Sequence, residues 1–179
     1  MGVTGSGKTT IGGLLAERAG VVFADADDYH PEANKQKMAA GHPLDDADRQ
    51  PWLVTLNGLL LHWHQSGQGG VLACSALKES YRTTLEIGLP IRAIRFILLE
   101  VPKELLIERL KARHHEFMNP DLLDSQIATL EAPSAADSLK VANDRDPDAV
   151  VVEILSRTAK QTSQTSEKEV TKQDGTFTL

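Results

Sequence analysis

Eight residues at the start of the chain have the types and spacing to hold a polyphosphate. Gly2-Val3-Thr4-Gly5-Ser6-Gly7-Lys8-Thr9 satisfies every fixed position of G-x-x-x-x-G-K-[ST], with Met1 the single residue ahead of it. Glycines let successive backbone N–H groups turn inward around phosphate oxygens without Cβ clashes. Lys8 then reaches the β- and γ-phosphates, and the Thr9 hydroxyl, with Thr10 next to it, serves the nucleotide and its Mg²⁺. A helix-forming run from Thr9 to Ala19 follows, as anion binding at a helix N-terminus requires. A glycine-rich turn that merely caps a helix is the structural alternative.

Two carboxylates come next. Asp25-Ala26-Asp27 follows the apolar run Val21-Val22-Phe23-Ala24, so an i, i+2 pair at a strand end leans over one edge of a sheet. Asp25 then suits the Mg²⁺ shell, and Asp27 suits a substrate hydroxyl whose proton it accepts. Solvated loop acids or helix caps are the competing reading, and the one given to Asp28. Arg109 and Arg113 lie four apart on one helix face, ahead of the loop His114 to Asn119. A mobile lid that brings guanidiniums onto a transferring phosphoryl group has this form, and so does a solvated helix face. Arg49 and Arg82 lie near expected strand ends and suit a substrate carboxylate. Ser75 follows the apolar run Val71 to Cys74, where many P-loop ATPases keep a metal-ordering aspartate, and no N/T-K-x-D guanine motif occurs. These features favour a small kinase over a GTPase or a motor.

The elements that must position these groups are legible in outline. Short apolar runs alternate with amphipathic stretches, which predicts an α/β fold with a parallel sheet flanked by helices. Strands are expected at Val21 to Ala24, Val71 to Cys74, Ile94 to Leu99 and Leu139 to Ala142. Helices are expected after the glycine loop, from Pro31 to before Gly41, from near Pro51 to before Gly67, over Lys103 to Arg113, from Pro120 to about Leu130, and from Pro147. In such a sheet the ligands sit at the carboxyl ends of the strands. Trp52 and Trp63 fall on the buried face of the long helix, where core packing competes with ligand stacking for Trp52. Domain organisation follows: a kinase domain over 1–159 with a lid at about 109–121, then a polar, aperiodic tail over 160–179.

The bulk numbers narrow the class. The 179 residues suffice for one domain with a real core, and the net charge of −6 argues against a general nucleic-acid-binding surface. The single cysteine, Cys74, cannot form an internal disulfide, which fits a reduced, cytoplasmic setting. No apolar stretch approaches the ~18–20 residues that span a bilayer, so no membrane partner is expected.

Several blocks together resemble the gluconate kinase family. They are Gly2 to Thr9; Asp25-Ala26-Asp27-Asp28-Tyr29-His30-Pro31 with Asn34, Lys37 and Met38; Pro43-Leu44-Asp45-Asp46 with Asp48-Arg49-Gln50-Pro51-Trp52-Leu53; and Cys74-Ser75-Ala76-Leu77-Lys78 with Tyr81-Arg82. Arg109-Leu110, Arg113, Leu122-Leu123, Ser125-Gln126 and Thr129-Leu130-Glu131 continue the match, which runs from Met1 to Pro133. The resemblance implies a P-loop kinase fold like that of shikimate and adenylate kinases, and transfer of the ATP γ-phosphoryl group to the 6-hydroxyl of D-gluconate. It further implies that Lys8 and Thr9 serve ATP and Mg²⁺ and that Asp27 orients or deprotonates the hydroxyl. His30, Arg49, Lys78 and Arg82 surround the sugar acid, Arg82 foremost for its carboxylate. A homodimer is also implied. The alternatives are a kinase for another small hydroxy acid and a nucleotide-binding chain with impaired catalysis.

The chain departs from the family pattern twice. The family carries an apolar strand ahead of its glycine loop, often ending in a methionine at the place of Met1, so the first strand reads as truncated. Its lid usually reads Arg-x-Gly-His-Phe, whereas Arg113-His114-His115-Glu116-Phe117 stands here. An acid near the triphosphate and a lost glycine hinge bear on lid closure and turnover.

Overall fold

The computed structural model describes residues 1–112, 120–134 and 138–159. In order along these residues come α1 (Lys8–Ala19), β1 (Val22–Asp25), a 3₁₀ turn (Ala26–Tyr29), α2 (Glu32–Ala39), α3 (Asp46–Gln65) and β2 (Gly70–Ala73). They are followed by α4 (Glu79–Glu86), β3 (Phe96–Glu100), α5 (Lys103–Ala112), α6 (Pro120–Thr129) and β4 (Ser138–Ala142). The last helix, α7, spans residues 147–159. The lid residues 113–119, Arg113 among them, and the tail 160–179 lie outside the described residues.

Local chemistry sets these boundaries. Gly20, at φ 66°, closes α1 with its N–H on the Ala16 and Glu17 carbonyls. The long helix α3 begins before Pro51, upstream of the expected start, because Asp45 and Asp48 form a reciprocal capping box. Two orphan N–H donors are satisfied at Asp45, and that outweighs the one ladder bond Pro51 lacks. Helix α4 was not expected. Its buried face is Tyr81, Arg82, Thr84 and Leu85, too mixed in polarity to show an apolar period.

The strands pair in parallel as two halves: β1 with β2 in the register Val22↔Gly70 to Asp25↔Ala73, and β3 with β4 from Phe96↔Ser138 to Glu100↔Ala142. One core lies under α3 and α4, where Trp52, Leu53, Leu56, Tyr81, Leu85 and Phe96 meet. A second joins Ile11 and Leu15 of α1 to Leu139 and Val141 of β4 and to Val150, Val151 and Ile154 of α7. Both tryptophans are core residues, and the close approach of Trp63 explains Gly70: a Cβ there would sit 2.3 Å from the indole.

Met1 and Gly2 join the two halves. The Met1 amine donates to the Ile97 carbonyl, the Leu99 N–H donates to the Met1 carbonyl at 3.0 Å, and the Gly2 N–H reaches the Ser75 carbonyl at 3.3 Å. Ahead of Met1, between β2 and β3, lies an apolar cavity of about 450 Å³ lined by residues including Val71, Leu72, Ile97 and Leu99. The expected parallel sheet is therefore present as two ladders bridged by Met1 and Gly2.

Candidate functional site

The glycine loop leaves Met1 and enters α1 with Gly5 at φ 76° and Gly7 at φ 87°. Gly7 has a second reason to lack a side chain. A Cβ there would fall 2.5 Å from Nδ2 of Asn143, which donates to the Ser6 carbonyl at 2.7 Å. Asn143 is buried and its backbone N–H donates to the Glu100 carbonyl at 2.8 Å, so the ends of β3 and β4 brace the loop from outside. Arg109 donates from Nη2 to the Asn143 carbonyl at 2.9 Å, which ties α5 to the same place. Gln126 of α6 closes the other flank, its Oε1 accepting the Thr4 N–H at 2.7 Å.

Inside the loop, Lys8 Nζ donates to the Val3 carbonyl at 3.1 Å. Ser6 is fully buried, and among the described residues its Oγ is the buried side-chain polar atom without a hydrogen-bond partner. A buried hydroxyl without a partner is costly, and a phosphate oxygen is a suitable acceptor for it. The left-handed glycines, this hydroxyl and Lys8 together fit a nucleoside polyphosphate.

The carboxylates are organised from the same loop. Thr9 Oγ1 donates to Asp25 Oδ2 at 2.6 Å, and Asp25 Oδ1 accepts the Asp27 N–H at 3.1 Å. Asp25 thus caps the 3₁₀ turn that carries Asp27, the duty the sequence suggested for Asp28. A hydroxyl and a carboxylate are hard oxygen donors, suited to Mg²⁺, which keeps most of its shell as water and phosphate oxygens. Among the described residues no group of three or more His, Cys, Asp or Glu forms a denser metal site. Asp27 stays open to solvent, yet desolvation and then the Asp25 charge raise its carboxyl above the usual range, with Lys8 and His30 opposing.

Further polar groups lie just after the turn that carries Asp27, on α3 and at the start of α4. His30 stacks on Trp52 with ring centres 4.3 Å apart, and Trp52 Nε1 donates to the Ala26 carbonyl at 2.7 Å. Lys78 donates to both Asp46 oxygens, at 2.8 and 2.7 Å, and the Tyr81 hydroxyl donates to Asp46 as well. Arg49 donates to the Leu44 carbonyl and lies over the Tyr81 ring at 5.8 Å. Arg82 is buried, with Nη1 on the carbonyls of Ala76, at 3.0 Å, and Leu77, at 3.3 Å. It therefore fixes the loop after β2, where Ala76 sits at φ 42°. Burial lowers its guanidinium below the ordinary value, which still leaves it charged. Cys74 is enclosed, and burial pushes its thiol up to about 11, so it offers no thiolate.

Val3, Ser6, Lys8, Thr9, Asp25 and Asp27 are thus tied to the loop or to one another by hydrogen bonds, Arg109 reaches the loop through Asn143, and His30 lies beside Asp27. By contrast, Lys78 is held on Asp46, Arg49 lies over Tyr81, Arg82 turns to the carbonyls of Ala76 and Leu77, and Thr10 is exposed. The reach of Gln126 and Asn143 to the loop was not legible. Gln126 stood out only within a resemblance block.

Comparison with known proteins fits this geometry. The shikimate kinase family model matches residues 4–159. A probable gluconokinase of Xenopus tropicalis is 45% identical over 168 residues, covering 86% of this chain and 88% of its own length. The gluconokinase of Gluconobacter oxydans is 43% identical over 157 residues, covering 87% and 86%. The crystal structure of a gluconokinase from Sinorhizobium meliloti superposes with a TM-score of 0.83 at 36% identity, covering 94% of both chains. Shikimate kinase from Aquifex aeolicus shares the fold, with a TM-score of 0.54 at 18% identity.

Proposed function

The chain belongs to the gluconokinases within the shikimate kinase-like family of P-loop kinases, and on that premise we propose that it phosphorylates D-gluconate at the 6-hydroxyl, using ATP. The observation that carries this reading is the unbroken chain from Thr9 through Asp25 to Asp27. It couples the phosphate-binding loop to a solvent-accessible carboxylate at the carboxyl end of β1. ATP supplies the transferable phosphoryl group, with Mg²⁺ held through Thr9 and Asp25.

The residues divide the work. The Gly2 to Gly7 loop and the Lys8 ammonium hold the polyphosphate, and Thr10 and Arg109 flank it. Asp27 orients the attacking hydroxyl and takes its proton, and Arg113 steadies the transferring group from the lid. His30, Arg49, Lys78 and Arg82 hold the sugar acid, with Arg82 on its carboxylate. Positioning of this kind supplies most of the catalysis in phosphoryl transfer, where the protein has little covalent chemistry to do.

The wider assignment follows the same reading: a kinase domain over 1–159, a lid at about 109–121, a polar tail over 160–179, and action as a cytoplasmic homodimer on small molecules, with neither nucleic acid nor membrane as partner. No helix of the described residues is long and apolar enough to cross a membrane. The regiochemistry is tested by ³¹P–¹H correlation spectra of the product. Phosphorus coupled to the C6 methylene protons is expected, and coupling to a CH proton at C2 to C5 contradicts it.

A further inference from the structure

We propose that His30 is locked as its Nε2–H tautomer and donates that hydrogen to the acceptor hydroxyl, with Asn34 and Trp52 as its positioning residues. The gluconokinase reading supplies only the identity of the acceptor; the tautomer follows from the chain itself.

The lock starts at a backbone carbonyl. Asn34 is 5% exposed, and its Nδ2 donates to the Asp48 carbonyl at 2.9 Å. A flipped amide would set oxygen against oxygen there, so the carbonyl fixes which way Asn34 faces. The second Nδ2 hydrogen is then directed at His30 Nδ1, 3.5 Å away. An N–H pointing at Nδ1 requires a lone pair on that atom, which leaves the ring proton on Nε2. The Asp48 carbonyl is in turn anchored by the capping box of α3 and by the Lys37–Asp48 ion pair, at 2.5 Å.

Orientation comes from Trp52. The two rings lie 14° from parallel, and the indole is itself pinned to the Ala26 carbonyl, one residue before Asp27. Imidazole and carboxylate are therefore registered on one support. Nε2 sits 4.0 Å from Asp27 Oδ1, too far for a direct hydrogen bond. A single hydroxyl oxygen about 2.8 Å from each fits between them. That oxygen accepts from His30 and donates its own hydrogen to Asp27, so its remaining lone pair is aimed by two protein groups. With the other tautomer, Nε2 and the carboxylate would be two acceptors facing one hydroxyl.

The imidazole stays neutral in this arrangement. Its side chain is 7% exposed, and burial lowers its affinity for a proton, a tendency Asp27 opposes and the cations of Arg49 and Lys35 reinforce. His30 is thus a fixed donor rather than an acid–base relay.

The test reads the tautomer directly. Long-range ¹H–¹⁵N spectra of histidine-labelled protein at pH 7.5, with His30→Gln used for assignment, are expected to show Nε2–H and an unprotonated Nδ1. Asn34→Leu is expected to convert the signal to a tautomer mixture. It should also raise KM for gluconate about tenfold, the weight of one hydrogen bond, while KM for ATP is unchanged. Nδ1–H or imidazolium in the unsubstituted protein overturns the proposal, whatever the variant does. A folded Asn34→Leu protein with unaltered gluconate kinetics also overturns it. Nε2–H in a chain that fails to turn over gluconate supports the lock and removes only the identity of the acceptor.

Discussion

Asp25 does three things at once: it accepts from Thr9, caps the turn that carries Asp27, and raises the Asp27 carboxyl by its charge. Replacing Asp27 therefore separates chemistry from nucleotide binding. Asp27→Asn is expected to lower kcat by ~10²–10⁴ if the carboxylate takes the proton, with KM for ATP unchanged. Near-normal turnover would mean that positioning alone suffices. Arg82→Ala should raise KM for gluconate by about ten- to a hundredfold, the weight of a charge-assisted hydrogen bond, without a matching change for ATP. Equal effects on both would move Arg82 to the phosphates. The same variant should also melt earlier, since the carbonyls of Ala76 and Leu77 lose a donor. At this scale the sequence revealed what spacing encodes: the loop, the i, i+2 acids and the arginines. It hid contacts that only folding creates, such as Asn143 on Ser6 across 137 positions. It also hid the structural duty of Arg82, because a charged residue in an unrecognised helix carries no sign of burial.

The sheet halves meet at two residues. Met1 bonds to β3 on one side while Gly2 bonds beyond β2 on the other, and the cavity ahead of them is lined from both strands. A variant with five apolar, β-branched residues fused ahead of Met1 is expected to fill that space as a parallel strand. Two side chains buried at ~1.5–3 kcal/mol each should raise the melting temperature by about 6 °C or more. No gain would refute the account of a strand site there. The Met1 amine supplies an independent readout. Burial, and after it the Lys8 charge, lowers this amine from an ordinary 8.0 to about 5. Between these values the unfolded chain binds more protons than the folded one, so stability should rise as pH rises from 5 to 8. Acetylating the amine should flatten that slope, and an unchanged slope would contradict its burial as a cause. Most elements were readable because strand runs and helical periods are local signals. Helix α4 escaped for want of an apolar period, and α3 starts upstream of Pro51 because a capping box whose N-cap, Asp45, lies six residues before it outweighs the proline.

Across the whole molecule, the net charge of −6 coexists with a few placed cations: Lys8 and Arg109 at the loop, Arg49 and Lys78 beside Tyr81, and Arg82 on the segment after β2. An acidic balance with a few placed cations suits small anionic substrates better than polymers. The central claim joins the phosphate-binding loop and the acceptor side in one reaction, and ADP release by the purified chain tests it most directly. With ATP and Mg²⁺ present, release should depend on added D-gluconate and stay at the no-acceptor background with shikimate. ADP release indifferent to gluconate, from a folded chain that binds ATP, would contradict it.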